Sequence, residues 1–103
     1  MANENGKRIS KDEMHKMRNR YKATKKFVTE SVYFDRSTFE RLLSDPGTVG
    51  VRVYYGVNDK DELHPIFVPV GKGGANLLVA KSGESTIEDY GNPCPPLCPT
   101  GDE

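Results

Sequence analysis

Three side chains in the middle of the chain could bind an anionic or polar ligand: Arg52, Tyr54 and His64. Arg52 offers a planar fork of donors that suits a carboxylate or a phosphate, and Tyr54 adds a hydroxyl on an apolar ring. In the alternative role, Arg52 lies on the solvated face of an antiparallel sheet and pairs with an acid on the next strand. The sequence leaves both roles open.

The segment Gly71-Lys72-Gly73-Gly74 could hold an anion with its backbone N–H groups and the Lys72 ammonium, as glycine-rich phosphate sites do. The P-loop spacing G-x-x-x-x-G-K-[ST] is absent, and a strand rather than a helix is expected to follow. A plain hairpin turn is the simpler interpretation, with Lys72, Gly73 and Gly74 as candidate anion ligands.

Cys94 and Cys98 are the only cysteines, and two prolines separate them. They could form a disulfide, pack as thiols, or supply half of a zinc site, which normally needs four ligands. His15 and His64 are far from them in sequence, so a zinc site would have to recruit carboxylates or a second subunit. We favour packing or a disulfide and predict no cofactor. A redox role is weakly supported, because a Pro-rich irregular segment lacks the helix dipole that lowers a thiol pKa.

Charge is unevenly distributed along a chain whose formal net charge is zero. Residues 7–26 carry nine Lys and Arg against two acids, whereas residues 27–103 carry six against twelve. A basic helix of this kind could follow a nucleic-acid backbone, or it could present a solvated face. The sequence has no helix-turn-helix or RNA-binding motif, so a nucleic-acid accessory protein is the lesser alternative.

No pair of acidic residues has a spacing that implies shared acid and base catalysis, and nothing supports a Ser-His-Asp arrangement. No catalytic residue is therefore predicted, and the sequence favours a protein that is not an enzyme. A small enzyme or ligand binder that uses Arg52 and Tyr54 remains an alternative.

Two helices are expected upstream of these residues. Ser10 to Glu13 reads as a capping box that starts the first helix. Apolar and small residues then recur every three or four positions and predict a stripe facing the core: Met14, Met17, Tyr21, Thr24 and Val28. Asp35 or Ser37 should cap a second helix that faces inward through Phe39, Leu42 and Leu43, and 29–34 reads as a short strand.

The sheet is expected to be a meander of three strands. Alternating residues predict the principal strand over 50–57, with Val51, Val53 and Tyr55 on one face and Arg52 and Tyr54 on the other. Residues 58–62 read as a charged hairpin loop and 65–70 as the antiparallel partner strand. A third strand is predicted over 75–80.

Residues 39–70, above all the run from Leu42 to Gly56, resemble a group of small hypothetical proteins from Bacteroidetes-type bacteria. The shared features are a Pro-Gly turn, a Gly-x-Arg-x-Tyr-x-Gly unit and a Pro-Cys-Pro-Pro-x-Cys tail. The resemblance implies an upstream helix, a helix-to-strand unit, a hairpin and a terminal Pro/Cys motif, and it implies no activity. The glycine-rich loop and the basic first helix depart from the group's pattern.

Together these features predict an α+β protein in which two N-terminal helices pack on a small, mainly antiparallel sheet of three to four strands. We expect a disordered segment over 1–8, one domain over 9–90 and an extended Pro/Cys tail over 91–103. The hydrophobic share of 35% and the absence of Trp imply a small core that dimerisation would help. No apolar run reaches the length of a membrane span, so a cytoplasmic location is expected. The expected function is a protein-interaction or self-associating module, which binds a protein partner or its own copy.

Overall fold

The computed structural model describes residues 5–99 and contains two α-helices and four β-strands. In chain order these are α1 (Lys11–Thr24), β1 (Ser31–Tyr33), α2 (Arg36–Leu42), β2 (Thr48–Val57), β3 (Leu63–Gly71) and β4 (Asn92–Cys94). The strands form two antiparallel sheets of two strands each, β1 with β4 and β2 with β3. The predicted α+β class is confirmed at this level.

Helix α1 begins where the sequence predicts. The Ser10 hydroxyl accepts a hydrogen bond from the Glu13 backbone N–H at 3.0 Å, and the helix ends at Lys25, whose φ of 52° is left-handed. The predicted core stripe is not part of a core, because α1 has no buried residue and Met17 and Val28 are each 57% exposed. The close packing of both helices on one sheet, as predicted, is therefore not seen for α1.

Helix α2 is capped by Asp35, whose carboxylate accepts hydrogen bonds from the Thr38 N–H at 3.1 Å and from the Ser37 hydroxyl at 2.8 Å. Its inward face is narrower than predicted. Leu42 is 1% exposed, but Phe39 is 39% and Leu43 is 55% exposed. Phe39 still packs edge-to-face on Phe67 of β3, with ring centroids 5.6 Å apart.

The Asp35 cap should make the stability of α2 depend on pH. Hydrogen bonds from Ser37 and then Thr38 hold the pKa of the Asp35 carboxyl below its usual value. A pKa that is lower in the folded state adds stability above the unfolded value of about 4, and this stability is lost as the pH falls through the folded value. We expect thermal unfolding followed by circular dichroism to show a gap between wild type and Asp35→Asn that closes as the pH falls from 6 to 2. A gap that stays constant over that range would contradict the cap.

The β2–β3 hairpin is the largest element, and it forms as predicted around a loop of residues 58–62. The strands pair in register from Gly50 opposite Val70 to Val57 opposite Leu63, with an irregularity between Thr48 and Gly50. Directly opposed residues share a face, so Arg52, Tyr54 and His64 lie on one face and Val53 on the other.

The predicted third strand over 75–80 is replaced by irregular chain. This segment makes only single bridges to its neighbours, at Val70 with Asn76 and at Val79 with Ser85, and residue 88 bridges back to Phe67. The sheet expected to hold three to four strands is thus a two-stranded hairpin whose β3 side is flanked by irregular chain. Arg41 of α2 fastens that chain, because its guanidinium donates to Glu88 through Nε at 3.0 Å and Nη2 at 2.8 Å.

The described part of the tail contributes β4 to the fold, and its residues 95–99 are exposed. β4 pairs with β1, with Ser31 opposite Cys94 and Tyr33 opposite Asn92. Gly91 permits this approach, since a Cβ at this position would lie 2.6 Å from the Tyr33 carbonyl oxygen. The predicted disordered segment 1–8 and the predicted tail 91–103 both extend outside the described residues.

The core is small. The buried apolar side chains in the described part are Leu42, Val68, Pro69, Val70 and Cys94. None of the helices within residues 5–99 is long and apolar enough to cross a bilayer.

Candidate functional site

The outer edge of β2 carries backbone groups that β3 does not use. Phe67 of β3 exchanges hydrogen bonds with Glu88, at 2.9 Å from its N–H and 3.0 Å to its carbonyl, so its polar backbone groups point away from β2. Val53 stands directly opposite Phe67. In an antiparallel ladder the two residues of such a pair both point outward, so the Val53 N–H and C=O face away from the hairpin.

The prolines of β3 extend this pattern along the strand. Pro65 and Pro69 have no N–H and lie opposite Tyr55 and Val51, and the Pro69 carbonyl accepts from the Leu77 N–H at 2.9 Å. Val51, Val53 and Tyr55 therefore present outward N–H and C=O groups in one row. Within residues 5–99 no further strand pairs with this row. Both prolines lie at positions of β3 whose backbone groups face away from β2.

The side chains along this edge are apolar and exposed. Val53 is 41%, Tyr55 is 76% and Val57 is 49% exposed, and they share one face of the strand. The strand is ten residues long and has a single charged residue, Arg52. Edge strands in soluble monomers are usually shortened, charged, interrupted by proline or covered. β2 lacks most of these protections.

Arg52 and Tyr54 are joined through Asn76. The Arg52 guanidinium donates to the Asn76 side-chain oxygen and, at 3.2 Å, to the Gly74 carbonyl, and the Asn76 amide donates to the Tyr54 hydroxyl at 2.8 Å. Arg52 pairs with Val68, which is 2% exposed, while Arg52 and Tyr54 are themselves exposed. The arrangement holds the 72–76 turn, and binding of a ligand by Arg52 and Tyr54 stays a prediction.

His64 lies apart from that pair, in a cavity of about 250 Å³ that Asp89 and Tyr90 also line. Its Nδ1 is 3.0 Å from the Asp89 carboxylate, and its Nε2 is 3.2 Å from the Asn58 amide nitrogen. The Asn58 side-chain oxygen accepts from the Lys60 and Glu62 N–H groups at 2.9 and 3.0 Å, which fixes the amide with its NH₂ toward His64.

This amide orientation selects one form of the imidazole. The Asn58 NH₂ donates to Nε2, so Nε2 carries no proton and Nδ1–H donates to Asp89. The Asn58 NH₂ also donates to the Glu62 carboxylate at 2.8 Å. Both ring nitrogens of His64 are engaged, so the network ties the hairpin loop to the 88–90 segment and offers no free base.

Asn58 is the centre of this network, and its removal should loosen the loop. We expect Asn58→Ala to lower the free energy of unfolding by roughly 1–3 kcal/mol, because two backbone N–H groups lose their acceptor and His64 loses its donor. Asp59→Ala, in the same loop and exposed, is the matched control and should change stability by less than about 0.5 kcal/mol. Denaturant unfolding measures both values, and ¹⁵N chemical shifts of His64 report the tautomer. Equal effects of the two variants would contradict the network.

The glycine-rich segment forms a 3-10 turn over Lys72–Gly74, in which Gly73 and Gly74 have φ of 84° and 89°. These left-handed values favour glycine and agree with a tight connection. The Gly74 carbonyl, an acceptor, points at Arg52. Lys72 and Gly73 are exposed, and anion binding here stays a prediction.

Cys94 and Cys98 are joined by a disulfide. Cys94 is 4% exposed, and its carbonyl accepts from the Glu30 N–H at 2.6 Å, which links the disulfide loop to the segment before β1. Within residues 5–99 no group of three or more His, Cys, Asp or Glu side chains is placed to hold a metal ion. The structure thus has the disulfide, one of the alternatives that the sequence left open.

The basic side chains of α1 are mostly exposed. Two of them are close to Glu30, with Arg18 Nη2 at 3.7 Å and Lys22 Nζ at 3.9 Å from its carboxylate. Pairs of this kind contribute at most about 1 kcal/mol at the surface. They orient α1 beside the start of β1, and they reduce the positive charge that this end of the helix offers to an anionic partner.

A shallow groove of about 300 Å³ separates α1 from the sheets, between Met17 and Tyr21 on one side and Val32 and Leu63 on the other. The Tyr21 hydroxyl donates to the Thr29 carbonyl across it. Burial, with a smaller contribution from Glu30, raises the pKa of Tyr21. The groove is lined mainly by apolar atoms, so it can accept an apolar side chain.

Sequence reasoning missed Asn58, Asn76 and Asp89, which organise both polar clusters. Asn58 could have been found, because Asn next to charged residues in a hairpin loop commonly accepts from N–H groups two residues on. Asn76 and Asp89 carry no local signal, since their partners lie 22 to 25 residues away.

Comparison with known proteins adds no relative: no family model matches the chain, and no match is found among curated proteins or solved structures.

Proposed function

We propose that the protein is a non-enzymatic interaction module that recruits an extended strand to the outer edge of β2. The observation that carries the proposal is the row of outward N–H and C=O groups at Val51, Val53 and Tyr55, flanked by exposed apolar side chains. A strand added to such an edge gains backbone hydrogen bonds for affinity and alternate side chains for specificity.

The small core supports the same function. Sixteen large apolar side chains are at least 39% exposed in the described part, and five of them lie on β2: Val49, Val53, Tyr54, Tyr55 and Val57. Val53, Tyr55 and Val57 share one face of the strand, and an exposed apolar surface of this kind marks interaction sites in soluble proteins. The partner is a protein strand, from another chain or from a second copy.

The other candidates have less support. A ligand site built from Arg52, Tyr54 and His64 would need the three to converge, whereas Asn76 holds the first two and Asn58 and Asp89 hold His64 in a separate cavity. Nucleic-acid binding would use the basic face of α1, part of which is close to Glu30.

The proposed interaction module is tested by measuring the molecular mass of the protein in solution. We expect the full chain to sediment as more than a monomer at micromolar concentration, or to bind a strand peptide with loss of amide exchange confined to β2. A chain that is monomeric up to millimolar concentration, and whose β2 amides stay unprotected with every strand peptide tried, would refute the proposal.

The Cys94–Cys98 disulfide bears on the cytoplasmic location expected from the sequence, because disulfides are rare among cytosolic proteins, whose thiols are kept reduced. We propose that the protein works either in an oxidising compartment or, in the cytoplasm, with this pair reduced. Alkylation of thiols in intact cells before lysis separates the two: modification of both cysteines indicates the cytoplasm, and protection of both indicates an oxidising compartment.

A further inference from the structure

We propose that the occupant of the β2 edge is β2 of a second copy, paired antiparallel about a two-fold axis that passes through Val53. The inference rests on the proposed function and names its partner and its register. It would join two hairpins into a four-stranded sheet with β2 and its copy at the centre.

The hydrogen-bonding pattern of the edge is compatible with this axis. A two-fold axis perpendicular to the sheet leaves every side chain on its original face. Because directly opposed residues share a face, the axis must pass through a residue and not between two residues. With Val53 opposite the partner's Val53, the outward groups of Val51 meet those of the partner's Tyr55. Each of these pairs can exchange two N–H···O=C bonds, because all the residues involved point outward.

Overlap and charge then select Val53 over its neighbours. The number of paired residues is largest when the axis passes close to the middle of the strand. The middle of Thr48–Val57 falls between Arg52 and Val53, so only an axis through one of these two residues pairs nearly the full strand. A centre at Arg52 would pair the two Arg52 residues directly and bring their positive charges closer together than any other register, although each guanidinium is bonded back to its own Asn76. With the centre at Val53, Arg52 lies opposite the partner's Tyr54 and like charges do not meet.

The sequence of β2 is nearly symmetric about the same residue. Gly50 and Gly56 stand three positions on either side of Val53, so each glycine would face the partner's other glycine. Val51 would face the partner's Tyr55, and pairs of aromatic with β-branched residues are among the favourable cross-strand pairs. The strand is therefore complementary to its own copy.

The one charge that could protect this edge is held away from it. The Arg52 guanidinium is bonded to the Gly74 carbonyl and to Asn76, on the far side of β3. It therefore leans across the hairpin and leaves the outer row of N–H and C=O groups uncovered. Since the formal net charge of the chain is zero, two copies also approach without net repulsion.

The register is tested with an equal mixture of ¹³C-labelled and unlabelled full-length protein. An isotope-filtered NOE experiment detects only contacts between copies, and in antiparallel pairs the Hα atoms of residues that do not exchange hydrogen bonds are the closest. We expect an Hα–Hα contact from Arg52 to the partner's Tyr54, with line widths that indicate a dimer.

The possible outcomes are distinct. Contacts between copies at another set of β2 residues would overturn the register and leave the interaction module intact. Contacts confined to α1 or to the groove beside it would overturn the β2 dimer. A monomer that still captures a foreign strand peptide would remove the second copy as occupant, and a monomer that captures none would remove the proposed function as well.

Discussion

In the Val53→Pro variant we expect the dimer to dissociate while the β2–β3 hairpin stays folded. Proline removes the N–H of Val53, which points away from β3 and takes no part in the hairpin ladder. At a two-fold axis through Val53 the change removes one hydrogen bond from each copy, and two pyrrolidine rings then meet at the centre. The lost bonds alone are worth about 2 kcal/mol, or roughly 30-fold in the dissociation constant.

The matched control is proline at the neighbouring position. Tyr54 lies opposite Ile66 in a pair whose backbone groups bond to each other, so Tyr54→Pro removes a bond inside the hairpin. Natural prolines already follow this rule, since Pro65 and Pro69 lie where the β3 backbone faces away from β2. We therefore expect Val53→Pro to keep its circular dichroism and Tyr54→Pro to lose much of it.

Sedimentation equilibrium over a concentration series measures the effect. A Val53→Pro variant that dimerises as tightly as wild type would show that the β2 edge is not the interface. If this variant fails to fold, Val53→Lys provides the second test, because it keeps the N–H and places two ammonium groups at the two-fold axis. It too should dissociate the dimer, most strongly at low salt.

The elements predicted correctly are those specified by neighbouring residues. Ser10 and Asp35 cap their helices through side chains that reach three residues along the chain. The hairpin follows from alternation over 50–57 and a polar loop of five residues. Capping and turn formation are local, so a single sequence contains the information for both.

The elements missed depend on contacts between distant segments. β1 pairs with β4 across 63 positions, from Ser31 to Cys94, and nothing in either short segment identifies the other. Residues 75–80 have strand-like composition, yet the β3 edge bonds to Ala75, Leu77 and Glu88 at separate points, and no continuous ladder forms. Residues with high strand propensity form a strand where a half-buried sheet surface is available for their side chains to pack on. Residues 75–80 have no such surface.

The apolar periodicity of the helices was predictive only in part for the same reason. A stripe at helical spacing indicates which residues could be buried, but burial needs a facing surface. Leu42 has that surface, whereas Met17 and Leu43 do not in a single copy. The sequence could not show how little sheet is present to cover them.

Leu42→Ala should be the most destabilising of the side-chain truncations considered. Leu42 is 1% exposed and is one of only five buried apolar side chains in the described part. Truncation of a fully buried leucine costs about 2–5 kcal/mol, from lost burial and the cavity left behind. A domain of this size has roughly 5–15 kcal/mol of net stability, so a loss in this range is a large fraction of the total.

The matched control for Leu42→Ala lies one residue further along the chain. Leu43 is 55% exposed, so Leu43→Ala removes the same atoms from a side chain that is half in solvent, and we expect it to cost less than about 1 kcal/mol. Urea unfolding at one fixed protein concentration compares the two, because stability coupled to dimerisation changes with concentration. Equal losses would mean that α2 is rotated about its axis relative to β3. A larger loss for Leu42 confirms the burial that anchors α2, while Phe39 on Phe67 and Arg41 on Glu88 hold its two flanks.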